Sequence, residues 1–178
     1  MNETLIRKYR WFWAWQDEIE EAWLTQMSRE RGWHLRSVGW PGFYTFAVGE
    51  PRDYVYRLDY RNTPKSERPA YFQLFADAGW AHIGELNNWQ YFRKEAKPGE
   101  TPEIFTDRES KIDKYRRVLA IFVIFVAIYP ALLSNSTVWG RHHSPWLEVL
   151  RAVLFAIMLF WIYVGVRIWR RIEALKRS

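Results

Sequence analysis

The chain contains no cysteine. Disulfides, thiolate nucleophiles and thiolate metal sites are therefore excluded together, and the absence fits a reducing compartment. Three catalytic signatures are also missing: a glycine-rich phosphate loop, a zinc-protease helix and a Gly-x-Ser-x-Gly elbow. Before Tyr115 no uncharged run is as long as the two that follow it. No N-terminal signal peptide is expected, since Glu3, Arg7, Lys8 and Arg10 interrupt any apolar region there.

Beyond Tyr115 the pattern reverses. No Asp, Glu, Lys, Arg or His occurs from Val118 to Leu133 or from Ala152 to Val166, a split that the mean hydropathy of -0.36 averages away. A hydrocarbon core of about 30 Å needs roughly 20 helical residues. Residues 108–178 are thus expected to hold two transmembrane helices, about 118–139 and 146–169, with Pro130 kinking the first. Lys111, Lys114, Arg116 and Arg117 flank one end, and Arg167, Arg170, Arg171, Lys176 and Arg177 the other. The positive-inside rule then places both termini in the cytoplasm of a two-pass inner-membrane protein. The formal charge of +6 would suit nucleic acid. Its placement beside the apolar runs suits anionic lipid heads instead, so the expected partner is the bilayer and not a nucleic acid.

The first 98 residues are rich in large rings: the chain has 12 Trp, 10 Tyr and 11 Phe. Alternation from Leu5 to Trp15 predicts a strand. Asp17 is the expected N-cap of the following helix, with Glu20 as capping-box partner and Ile19, Ala22, Trp23 and Met27 as its apolar stripe. Gly32 ends that helix, and Trp33–Val38 and Phe43–Val48 form a hairpin. The pattern then recurs. Tyr54 to Tyr60 alternates as a strand, a helix carries Tyr71, Leu74, Phe75 and Ala78 on one side, and Gly79-Trp80 echoes Gly32-Trp33. Ala81–Leu86 and Trp89–Lys94 flank Asn87-Asn88, a pair tolerant of positive φ. The fold class read from this is α+β: a ferredoxin-like duplicated β-α-β-β domain, units about 1–51 and 52–98, as one sheet with both helices on one face. A polar linker at 99–107 joins it to the two-helix transmembrane hairpin.

Four stretches carry a resemblance. They are Arg31-Gly32-Trp33-His34-Leu35, the run from Gly49 to Tyr60, Ala78-Gly79-Trp80, and Asn88-Trp89-Gln90-Tyr91-Phe92-Arg93. Together they resemble a bacterial membrane-protein family of unknown function, catalogue number 2812, often encoded beside PadR-type transcription regulators. The resemblance implies a regulatory or envelope-response setting and no substrate, cofactor or catalytic residue.

His142 and His143 lie in the expected outer loop without a carboxylate or thiol, so no metal is expected. His34 and His82 each follow a Gly-Trp pair and are placed to converge, although strand position alone explains them. Asp53, Arg57, Asp59 and Arg61 share one strand face, where cross-strand ion pairs suffice. Ser28, Ser37 and Ser66 lack a recognisable base partner, and no enzyme activity is expected. Phe12 and Ala14 oppose Trp11, Trp13 and Trp15, so the first strand is apolar on both faces. An exposed apolar face marks an interaction site; a second subunit, an apolar ligand, the membrane or the chain itself would cover it. The candidate binding residues are Trp11, Phe12, Trp13, Trp33, Trp80 and Trp89. The expected function is a membrane-tethered cytosolic sensing or regulatory module that binds a protein partner or an apolar or aromatic ligand without catalysis. The alternative is a subunit of a small oligomeric transporter or channel.

Overall fold

The computed structural model describes residues 4–97, 102–104, 108–134 and 145–177. The chain is mixed α+β and divides into two compact units, Met1–Asp107 and Arg108–Ser178. Most of the expected linker 99–107 and the loop carrying His142 and His143 lie outside the described residues.

In the first unit, β1 (Leu5–Tyr9), α1 (Asp17–Arg31), β2 (Trp33–Gly39) and β3 (Phe43–Val48) precede β4 (Tyr54–Tyr60), α2 (Arg68–Asp77), β5 (Ala81–Leu86) and β6 (Trp89–Glu95). These strands form two antiparallel sheets of three, ordered β1-β3-β2 and β4-β6-β5, instead of the single sheet expected. Strand order is the same in both halves, and so is the site of a register shift: Leu35/Ser37 in β2, His82/Gly84 in β5. Asn87 and Asn88 take positive φ at the second hairpin, as their position predicts.

Neighbouring residues on a strand point to opposite faces, and this shows how the helices are layered. Tyr56, Leu58 and Tyr91 join Leu24 and Met27 of α1 and Leu35, Tyr44 and Phe46 of the first sheet in one core. Val55 and Phe92, on the reverse face, pack with Tyr71, Phe75 and Trp80 around α2. The two helices therefore lie on opposite faces of the second sheet, correcting the one-sided arrangement.

Other corrections concern extent and phase. The first strand stops at Tyr9 and does not run to Trp15. Its partner begins at Phe43, the last pair is Tyr9–Phe43, and one further bond from Arg10 N–H to the Gly42 carbonyl (2.9 Å) closes the ladder. A strand without a partner loses its backbone hydrogen bonds, so Trp11 to Trp13 leave the sheet. In α1 the buried residues are Asp17, Glu20, Glu21, Leu24, Met27 and Ser28, while Ile19 is exposed. In α2 Tyr71 and Phe75 are buried and Leu74 points outward.

The second unit holds α3 (Arg108–Ser134) and α4 (Pro145–Arg177), packed antiparallel, with Phe122 5.2 Å from Trp161 and Leu119 beside Gly165. Ile112, Tyr115, Val118, Val164, Ile168 and Ile172 are buried. Among the described residues, α4 is long and apolar enough to cross a membrane. Its 18-residue apolar window has a mean hydropathy of 2.3, and 6% of it is buried. A soluble core helix hides such a stretch; here it faces outward.

The two helix-ending glycines differ in surroundings. Both have positive φ, 63° at Gly32 and 82° at Gly79. A Cβ at Gly32 would strike the Gly49 backbone carbonyl, whereas at Gly79 it would meet only the Lys94 side chain, Cε at 3.4 Å. Gly79→Ala is expected to cost about 1–2 kcal/mol, the left-handed penalty alone. Gly32→Ala is expected to cost clearly more, read as a larger drop in the near-UV thermal midpoint. Equal losses would show that the backbone contact does not matter.

Candidate functional site

The inward face of α1 carries three carboxylates, a placement that is unfavourable unless each is met by donors. Glu21 Oε1 accepts the Leu58 N–H at 2.8 Å, and Thr25 Oγ1 accepts the Tyr56 N–H at 3.3 Å. β4 is an edge strand, so these helix side chains take the place of a fourth strand on its open N–H groups. Arg57 lies 3.7 Å from Glu21 and 2.9 Å from Glu103. Asp59 is buried and accepts the Tyr71 hydroxyl at 2.9 Å. Asp53 pairs with Arg29, and Glu85 with Arg68. Arg57 and Asp59 of β4 thus meet partners from α1, α2 and the segment around Glu103.

Glu20 is the centre of the site. Expected as a capping-box partner, it instead turns inward, because the helix begins at Asp17, its N-cap is Gln16 and no side chain caps it. The Tyr44 hydroxyl from β3 and the Tyr91 hydroxyl from β6 both donate to Glu20 Oε1, each at 2.7 Å. Oε2 accepts no hydrogen bond among the described residues, although Glu20 is only 6% exposed. Burial lifts its pKa above the ordinary 4.5, the two phenols pull it down, and the charge of Asp17 adds to the rise. Burial and the adjoining carboxylate push both phenols up, Tyr44 and Tyr91 alike.

Above Glu20 opens a cavity of about 170 Å³. Its walls come from Arg10 to Ala14, from the turn Trp40-Pro41-Gly42, and from Leu86, Asn87 and Trp89 of the opposite hairpin; Asp17, Glu20, Tyr44 and Tyr91 complete it. A pocket near 150 Å³ accepts a benzene-sized group, so this one admits a single ring. Of the six residues expected to bind, four line it: Trp11, Phe12, Trp13 and Trp89. Phe12 packs on Trp23 (5.6 Å) and Tyr44 (6.2 Å), while Trp11 and Trp13 stand edge to face at 5.6 Å and remain largely exposed. Trp33 and Trp80 do not line it. Trp33 packs near Phe46, and Trp80 is buried in the core around α2. Glu20, Tyr44 and Tyr91 were missed in the sequence because an acid three residues into a helix reads as a cap.

Ser28 does have a base partner: its hydroxyl lies 2.7 Å from His34 Nδ1. The Leu35 N–H donates to Tyr56 Oη (3.1 Å), which lies 3.1 Å from Ser28 Oγ, and His34 Nε2 reaches the Glu50 carbonyl at 2.9 Å. Ser28 is wholly buried, so this chain of bonds ties α1 to β2 and β4 and offers no nucleophile to a substrate. His34 and His82 line one wider cleft of about 460 Å³ with Arg36, Arg52 and Arg93. Burial holds both imidazoles below their ordinary pKa. Among the described residues, no three His, Asp or Glu side chains are grouped to hold a metal ion.

The family model described as "Protein of unknown function (DUF2812)" matches residues 16–127, and the chain belongs to that family. No curated protein and no solved structure matches it.

The raised pKa of Glu20 carries a sign. Its folded form holds a proton more tightly than the unfolded chain, so stability is full below about pH 4.5 and declines as pH rises through the raised value. Glu20→Gln is expected to remove this component from the pH dependence of the thermal midpoint. A parallel profile for variant and parent would refute the assignment.

Proposed function

We propose that this family member is a two-pass inner-membrane protein, both termini in the cytoplasm, whose aromatic head is a non-catalytic sensing module. The head takes an apolar, ring-bearing ligand into the cavity above Glu20 and passes its occupancy to a protein partner. One observation carries this reading: four of the six aromatic residues singled out from the sequence meet in one ring-sized cavity over a buried carboxylate. Matching strand orders and register shifts support descent of the head from a duplicated, ferredoxin-like β-α-β-β unit. The outward apolar surface of α4 and the uncharged run in α3 support two spans. The regulatory setting follows from the association with PadR-type regulators that the family resemblance implies.

Nitrobenzene, a ring-sized quencher of indole fluorescence, is expected to give a saturable quench of the detergent-solubilised chain. Trp13→Ala and Trp89→Ala should each weaken it roughly three- to tenfold, the range of a lost ring contact. Linear, non-saturable quenching would dismiss the cavity as a ligand site. Independently, a tag placed after Ser178 should survive protease added to intact cells; its digestion would reverse the topology.

A further inference from the structure

The cavity has a polar floor that an apolar ligand alone does not explain. Both phenols donate to Glu20 Oε1 at 2.7 Å, and Oε2, which has no protein donor among the described residues, is open to the aromatic-walled space. A carboxylate oxygen that opens into such a space without a protein donor attracts a proton or a positive charge. Since Oε1 already accepts two O–H groups, a proton on Glu20 belongs on Oε2. Rings around such an oxygen add attraction for a cation, because their faces are electron-rich. The wall already holds one: the Arg10 guanidinium lies 4.9 Å over Phe12 and 5.1 Å over Trp23, and forms no ion pair with Glu20.

We infer that the ligand of this cavity is a small organic cation, a ring-bearing or methylated ammonium, whose charge meets Glu20 Oε2. The inference rests on the ligand-binding reading above and adds the ligand's charge to it. At a pH where Glu20 is protonated the exchange balances: one cation enters from solvent, the Oε2–H bond breaks, and one proton leaves to solvent. The charged or titratable groups facing Oε2 are Asp17 on the same helix, Tyr44 of β3, Tyr91 of β6 and Arg10 after β1. Asp17 favours the cation and Arg10 opposes it. The raised pKa of Glu20 is what makes the exchange dependent on pH.

The test uses the full chain in detergent and two probes of one shape, phenyltrimethylammonium and its uncharged isostere tert-butylbenzene. Each is measured by displacement of nitrobenzene quenching, with protein-free micelles subtracted. At about pH 8 the cation should bind at least about tenfold more tightly than the isostere. At about pH 5 that advantage should shrink, while the isostere's affinity stays constant. Glu20→Gln should abolish the preference at both pH values, and Arg10→Gln should strengthen it. The pH series on the unaltered chain requires no variant, so a misfolded Glu20→Gln protein leaves the inference testable. Equal binding of cation and isostere at high pH overturns the inference and leaves the aromatic-ligand reading standing. Saturable nitrobenzene quenching with displacement by the isostere alone does the same. Absence of saturable quenching overturns both.

Discussion

The first unit is organised by one buried carboxylate. Glu20 projects from α1 and receives a hydroxyl from each of the two sheets, Tyr44 from one and Tyr91 from the other. Hydrogen bonds to a charged group contribute about 1.5–3 kcal/mol each, and a buried acceptor left unmet costs a comparable amount. The relation of helix to both sheets is therefore specified by polar geometry as much as by apolar contact. Glu21 and Thr25, on the same helix, occupy the open N–H groups of β4, and the Tyr56 phenol occupies that of Leu35 in β2. Two of the four sheet edges, β2 and β4, thereby have N–H groups met by side chains from across the core.

The same arrangement creates the cavity. Two hairpin turns, one from each β-α-β-β half, approach from opposite sides, and the segment after β1 crosses between them. That segment is free to do so because β3 provides no partner beyond Phe43. Trp11 and Trp13, released from the sheet, stand edge to face at the rim, while Phe12 turns inward onto Trp23 and Tyr44. An aromatic run that reads as a strand thus becomes a wall.

What the sequence disclosed and what it withheld divide along the range of the interactions. Helix ends and hairpins were legible, because Gly32, Gly79 and the Asn87-Asn88 turn act on their own backbone. The family was legible too, from motifs within the first hundred residues, and the match over residues 16–127 agrees. The division into two sheets was not, since no local signal says whether the halves share a ladder. Part of the inner face of α1 was hidden for the same reason. Of the expected stripe Ile19, Ala22, Trp23 and Met27, Met27 is buried and Trp23 packs on the core, whereas Ile19 and Ala22 are exposed and Asp17, Glu20 and Glu21 face inward with Leu24. Partners 24 and 71 residues away neutralise the cost of burying Glu20, and no helical window contains them. Trp80 was among the expected binding residues and is core, because α2 covers the outer face of the second sheet.

Placing the carboxylate at a junction has a thermodynamic consequence for any ligand that meets it. A ligand stabilises only the state it binds, by RT ln(1 + [L]/Kd), about 2.7 kcal/mol at a hundred times Kd. Here the group that would meet the ligand is also the group that joins α1, β3 and β6. Changing the charge on Oε2 alters the acceptor strength of Oε1, to which both phenols are bonded, and so alters how firmly the sheets are held to the helix. A ligand bound only by the rings of the rim would leave that junction untouched. In the proposed reading, a response to the ligand would therefore depend on contact with Glu20, and the aromatic wall would serve to bring the ligand to it.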